Sequence, residues 1–479
     1  MEVVRGSSIL IGSFFVSSVF NYLFYLVVAR LLSPSEYGVM GVLLAVYTLS
    51  SFIVVSGTPQ TVLKRISMGK DIETTIRDGF ATNILLGLFI SLIIYSLLSI
   101  NLAPYKNTIL ILSILILLTS VIAILQYALL GLLKFKRYAS ITILNPILKL
   151  LFSTLFVILG LSVFGVFLGF LTTAILLFIL TLYFVRVKFW CARGKVNLEF
   201  FNQSALMLFG TLSIMLLMNI DIIAVKFLST NDALAGYYQS AIVLARFPVW
   251  ITWALMMSLF PYISKNSSHE LISSSLKYVL AFLVPISIAL SSSPQSYIKL
   301  LFPAKYLPAS QALGILSGGM AFLSLAIVLG RGFQAIGKER IVAISLSLSV
   351  IFQIILLTIL VPKYGITGGA LATAFASLLA FVLLAIHAGK IYSTKNLVKQ
   401  IISYLILYAV LYSLPMESKL ETIVVTVIAS TCYLTAIFIL RLITAEDVKS
   451  IVSGIISVEN PFIKRMIALI SNLNNLSTR

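Results

Sequence analysis

The chain has 479 residues, of which 60% are apolar and only 10% charged, whereas a soluble domain carries about 25% charged residues. With a mean hydropathy of +1.09, it lacks the charge to cover soluble domains and is too apolar to remain disordered. A net charge of +19 would suggest nucleic acid in a soluble protein. In a membrane protein it reflects Lys and Arg collected in inner loops.

The apolar runs are close to 20 residues long and unbroken, which predicts crossing helices and excludes a β-barrel. The expected fold is an all-α polytopic membrane protein with about fourteen transmembrane helices. The first six spans fall near 8–30, 37–57, 79–100, 107–131, 140–160 and 163–185. The next six fall near 203–225, 236–260, 276–292, 309–331, 341–361 and 365–387. Two more lie near 399–415 and 421–440. The first run, from Ser8 to Val28, is long enough to span and has no convincing cleavage site. After Arg441, Asn460-Pro461 opens a pattern of apolar residues at helical spacing that predicts an amphipathic helix on the inner membrane surface.

The loops set the expected orientation. Of the 34 Lys and Arg, Lys106, Lys226, Lys299, Lys305, Lys363 and Lys419 fall in outer segments if the N-terminus is inside. Arg30, Lys149 and Arg246 fall within spans, and all the others are inner. This asymmetry predicts a cell-membrane protein with both termini in the cytoplasm.

The chain also repeats itself. GVFLGFLTTA (Gly165 to Ala174) matches GITGGALATA (Gly365 to Ala374) at five of ten positions, at an offset of 200. VVARLLSPSEYG (Val27 to Gly38) resembles IAVKFLSTNDALAGYY (Ile223 to Tyr238), with Gly38 facing Gly236. Gly131, Lys134 and Arg137 stand loosely against Gly337, Lys338 and Arg340. Six is an even number of spans, so the two copies share one orientation and form a parallel repeat. The expected domains are six-helix bundles at 1–195 and 196–392, two further helices at 393–441, and a cytoplasmic tail at 442–479. Duplicated halves of this kind suggest a transporter, with a site between the halves.

Charge at mid-membrane costs roughly 2.5–3.5 kcal/mol on insertion scales, so it points to a wet cavity. Arg246 lies deep in span eight, next to Pro248. Lys149 lies mid-span, just after Asn145-Pro146. Arg30 and Arg331 lie nearer span ends, where they either line the cavity with Arg246 and Lys149 or snorkel. Asp221 is the one acid within a span, and it either couples H⁺ or Na⁺ or pairs with a cation. Asn21, Gln126, Asn219, Gln239 and Gln353 are either polar cavity lining or interhelical bonds. The excess of cations suits an anionic, phosphate-bearing substrate.

Two cysteines and two histidines without partner spacing predict neither disulfide nor metal site. No phosphate-cradling loop, paired carboxylates or large outer loop appears, so no enzyme activity and no cofactor is expected.

ARLLSPSEYGVMG (Ala29 to Gly41), NIDIIAVKFLSTNDALAGYYQSA (Asn219 to Ala241), LFPYIS (Leu259 to Ser264) and VPKYGITGGALATAFAS (Val361 to Ser377) resemble the polysaccharide biosynthesis flippases. These are the Wzx-type members of the multidrug/oligosaccharidyl-lipid/polysaccharide (MOP) exporter superfamily, with a MATE-like fold. The resemblance implies a V-shaped pair of six-helix bundles around a cationic cavity. It also implies export of a lipid-linked oligosaccharide, on polyprenyl or dolichyl phosphate or pyrophosphate, from inner to outer leaflet. Family cavity arginines correspond to Arg30 and Arg246, whereas Lys149 and Arg331 rest on depth alone. The expected partners are the glycolipid, membrane lipids and glycan-assembly proteins, with no nucleic acid and a monomeric state. Competing readings are a multidrug exporter, a lipid II flippase, and a membrane glycan polymerase or ligase.

Overall fold

The computed structural model describes residues 2–185, 205–229, 231–266, 269–388, 394–414 and 416–444. Among these residues the regular elements are all helical. Cys191 and nearly all of the expected amphipathic tail lie outside them. In lipid each backbone group must be satisfied within its own segment, which is why runs of this composition become helices.

The helices are α1 (Glu2–Leu31), α2 (Pro34–Ser56), α3 (Thr58–Ser67), α4 (Ile72–Asn101), α5 (Lys106–Gly131), α6 (Phe135–Phe156) and α7 (Ser162–Val185). There follow α8 (Ala205–Leu228), α9 (Asp232–Ala245), α10 (Phe247–Asn266), α11 (His269–Tyr278), α12 (Val284–Ser292) and α13 (Pro294–Leu301). The last are α14 (Ser310–Ala335), α15 (Glu339–Ala388), α16 (Thr394–Ser413) and α17 (Lys419–Ile439).

Among the described residues, ten helical stretches are long and apolar enough to cross a bilayer. Two of them, Phe135–Val185 with 51 residues and Glu339–Ala388 with 50, are double length. A straight 50-residue helix would run about 75 Å against a hydrocarbon core of about 30 Å. Each is therefore a hairpin of two crossings. The first turns at Gly160 (φ 86°) and Ser162 (φ 46°, ψ −134°), and the second at Gly365 (φ 55°, ψ −129°). Adding α9–α10 and α16 gives fourteen crossings among the described residues. Span eight is interrupted at Arg246, between α9 and α10, two residues before Pro248.

The two turns share a backbone shape at Ser162 and Gly365, so the structural repeat there is 203 residues (162 to 365), not the 200 of the sequence match. Three residues are nearly one helical turn, so identities found at the shorter offset still fall on similar faces. A second correction concerns the ends of α5 and α14. Lys134 N–H donates to Leu129 O and Leu133 N–H to Leu130 O, while Lys338 N–H donates to Phe333 O and Gly337 N–H to Gln334 O. These are the same helix stop. They align Leu133 (φ 56°), rather than Gly131, with Gly337 (φ 79°).

Packing divides the chain into two compact units: residues 1–239 with 350–369, and residues 240–349 with 370–479. In unit one, α3 to α7 share a core that includes Val62, Ile76, Leu125, Ile141 and Leu177. Small residues let helices approach closely. A methyl group on Gly169 of α7 would lie 2.7 Å from Ser153 Cα of α6, and one on Gly38 of α2 would lie 2.5 Å from Gly236 N of α9. Gly38 and Gly236 are the two glycines that the sequence repeat pairs.

Prolines within spans release carbonyls, and side chains collect them. Pro146 in α6 leaves the Thr142 carbonyl without its N–H, and the Ser17 hydroxyl of α1 shares its proton between that oxygen and Ser13 O, each at 2.7 Å. In unit two, residues 279–283 form a π-bulge in which Val284 N–H donates to Val279 O, and Pro285 follows. The carbonyls of Leu280 and Ala281 are left over. Tyr404 OH donates to Leu280 O at 2.6 Å, and Tyr433 OH donates to Ala281 O at 2.9 Å. Gln400 Nε2 donates to Tyr433 OH at 2.9 Å. The last two spans, α16 and α17, thus dock on the weakest point of the α11–α12 crossing.

Basic side chains also finish helices, where carbonyls lack partners and the dipole is negative. Arg137 donates to Phe184 O at 2.7 Å at the end of α7, and Lys399 donates to Leu440 O at 3.0 Å at the end of α17.

Candidate functional site

Unit one contains a polar cleft around Lys149. It is lined by Tyr47 of α2, Thr119 and Gln126 of α5, Asn145 and Lys149 of α6, and Phe170 of α7, among apolar neighbours. Its volume is about 90 Å³. A water needs about 10–15 Å³ of such space, so the cleft has room for several waters.

The Lys149 ammonium lies 4.5 Å from the Phe170 ring centroid and 5.8 Å from that of Tyr47. Both distances are within cation–π reach. Among the described residues these rings are its only interactions, with no carboxylate and no hydrogen bond. The hydroxyls of Tyr47 and Thr119 are 3.0 Å apart. Thr119 gives its proton to Leu115 O at 2.7 Å, so Tyr47 donates to Thr119 and neither hydroxyl proton is spare. The carboxamides of Gln126 and Asn145 make no hydrogen bond to a described residue. The cleft therefore holds one cation and two amide groups with unused donors.

Asp221 of α8 is fully buried in unit one. Its carboxylate accepts from Tyr238 OH at 3.0 Å and from Ile222 N–H at 2.8 Å. Tyr238 is itself fully buried. Nearby, Gln353 Nε2 donates to Leu217 O at 3.0 Å, an interhelical bond from α15 to α8. Gln239 is buried, with its side chain over Gly41 of α2. Asn219 and Asn21 both turn back on their own helices, to Met215 O at 2.8 Å and Ser17 O at 2.9 Å. Arg30 is exposed and donates to Leu26 O at 2.9 Å near the end of α1. Lys226 pairs with Asp232 between α8 and α9.

In unit two, Arg246 is buried at the break between α9 and α10. Arg331 of α14 stacks its guanidinium 4.3 Å from the Trp253 ring and donates to Gln334 Oε1 at 3.3 Å.

Of the residues chosen from sequence, the structure brings Lys149 and Gln126 into one cleft. Arg246 and Arg331 belong to unit two, and Arg30 does not line the cleft. Sequence reasoning missed Tyr47, Phe170, Tyr238 and Trp253. An aromatic in an apolar span carries no signal of its own, because packing and cation binding use the same residues. Asn145 had a signal in the Asn-Pro pair inside a span.

Comparison with known proteins decides the family. The model of the polysaccharide biosynthesis protein family matches residues 27–311. The chain belongs to this family. An uncharacterised membrane protein of Methanocaldococcus jannaschii is 24% identical over 348 residues, covering 67% of this chain and 69% of the relative. A probable low-salt glycan biosynthesis flippase of Haloferax volcanii is 26% identical over 167 residues. That match spans 33% of this chain and about a third of the relative, 35%.

Among solved structures, the lipid II flippase MurJ in an inward closed conformation aligns with a TM-score of 0.68 and 17% identity, over 88% of this chain and 97% of that one. An inward-facing MATE-family transporter of the MOP superfamily aligns at 0.60 with 14% identity, over 78% and 95%. At these identities the likeness concerns the fold alone, a multi-pass helical one shared with these two structures.

Proposed function

We propose that this chain is a flippase for a lipid-linked oligosaccharide, moving it from inner to outer leaflet for surface polysaccharide or glycoprotein glycan assembly. A glycan head on a phosphate or diphosphate cannot enter hydrocarbon without large desolvation cost. The protein must supply polar partners and positive charge along the way. The observation that carries the reading is the Lys149 ammonium, held inside a membrane bundle with no carboxylate partner among the described residues. Arg246, Arg331 and Arg30 add further positive charge, with Arg246 buried within span eight. A cationic drug is a poor fit to the Lys149 cleft.

No bond is made or broken in this task. Two states with different affinity for the glycolipid suffice. Asp221 with Tyr238 is the candidate for H⁺ or Na⁺ coupling, because a buried carboxylate is the group whose charge an ion would balance. The flippase would sit in the cytoplasmic membrane as a monomer, with both termini inside on the strength of the positive-inside asymmetry.

The test is deletion of the gene, followed by identification of the lipid-linked saccharide that accumulates in the inner leaflet. Arg246→Ala should reproduce that accumulation while inserting normally, and Asp221→Asn should remove dependence on an ion gradient. Export unchanged by deletion would overturn the reading.

A further inference from the structure

We propose that the Lys149 cleft is a subsite for one phosphoryl group, with the saccharide outside it. The inference stands on three observations within unit one. First, among the described residues the cation has no anion: its ammonium faces two aromatic rings and makes no hydrogen bond to them. Ring faces offset only part of the cost of placing a charged Lys in a span. An anion would close that gap.

Second, the remaining spare donors on the cleft wall are the amides of Gln126 and Asn145, from α5 and α6. Three donor groups on two helices suit a tetrahedral oxyanion with several acceptor oxygens better than a planar carboxylate or a spherical halide. The Tyr47–Thr119 hydroxyl pair spends its protons internally, which leaves these three as the recognition set.

Third, the size is selective. A cleft of about 90 Å³ lies well under the roughly 300–1,000 Å³ of sites that enclose whole small molecules. One phosphoryl group fits, and a sugar ring with its own hydration does not. Pro146 contributes by position. It breaks the hydrogen-bond ladder of α6 one residue after Asn145 and three before Lys149, and Ser17 pins the released carbonyl. The subsite is thus mounted on a stretch of α6 held by α1.

The site stands without the flippase reading, which supplies only the source of the phosphoryl group, the carrier lipid. The experiment uses the full chain, purified in phosphate-free maltoside micelles, and radiolabelled orthophosphate in equilibrium dialysis. Saturable binding is expected, at least tenfold weaker in Lys149→Met and a few-fold weaker in Gln126→Leu or Asn145→Leu. No saturable binding, unchanged binding in Lys149→Met, or displacement by chloride at equal concentration would overturn the subsite.

A second measurement covers a variant that fails to fold. With Cys191 and Cys432 replaced by serine, Thr119→Cys should be labelled by maleimide, and orthophosphate should slow the labelling. Labelling at an unchanged rate would again overturn the proposal. Displacement by geranyl diphosphate before phosphatidylglycerol supports the carrier lipid as the source, and the reverse order refutes that source. Glycolipid accumulation in the deletion strain is read separately, so failure of the flippase reading and failure of the subsite are distinct results.

Discussion

Replacing Gly38 with alanine tests the close approach of α2 and α9. The added methyl would lie 2.5 Å from Gly236 N and 2.9 Å from the Ala235 carbonyl carbon and Cβ. Comfortable contact begins near 3.4 Å, so the helices must part by roughly 1 Å. Two of the three nearest atoms are backbone and cannot rotate away. Overpacking of this kind costs about 1–3 kcal/mol, and the rigid neighbours argue for the upper half.

In soluble domains of 150–250 residues each kcal/mol moves the midpoint by roughly 2–4 °C. The Gly38→Ala protein in detergent should therefore melt several degrees lower. Gly318→Ala is the control, since a methyl there meets nothing within 4 Å. It should be neutral or raise stability by up to about 1 kcal/mol through helix propensity. Equal midpoints for Gly38→Ala and the parent would refute the packing argument.

Tyr433→Phe should cost about 1–3 kcal/mol, because the Ala281 carbonyl loses its partner in a buried place; a thermal shift assay reads it, and loss of one hydroxyl leaves the apolar packing of the ring in place. Leu133→Gly should stabilise by about 1 kcal/mol, since an L-residue at positive φ is strained and Leu133 is exposed; a lower midpoint would contradict the shared helix stop. The Asp71 carboxylate, which caps α4, is held below its usual 3.8 by hydrogen bonds from the Thr74 backbone and hydroxyl, with Arg77 adding to them. A depressed folded value means its contribution is present above 3.8 and is lost as pH falls through the lower folded value. Hydrogen exchange at the start of α4 should accelerate over that range, and Asp71→Asn should remove the pH dependence.

The crossings were legible in the sequence because lipid imposes a length and a composition on each of them. The span limits near 107–131 and 163–185 agree with α5 (Lys106–Gly131) and α7 (Ser162–Val185) to within a residue. Short features were not legible. The helix α3 occupies a stretch read as loop, because ten residues with Lys64 and Arg65 carry no span signal. The π-bulge before Pro285 depends on partners from α16 and α17, more than 100 residues away in the chain. The repeat was visible, but its register was not: identities between small residues favoured an offset of 200, whereas backbone turns set 203 at Ser162 and Gly365. Lys149 was found by depth, and its aromatic wall was not, because Tyr47 and Phe170 come from other helices.

The junction at Leu280 and Ala281 bears on how this protein can be shortened. Trimming the chain back to twelve crossings would strip three hydroxyl or amide donors from two main-chain oxygens and leave them facing hydrocarbon. The final hairpin is therefore structural ballast that cannot be cut away alone. A minimal version would first need Pro285 replaced and one residue of the bulge deleted, so that the ninth crossing could satisfy itself.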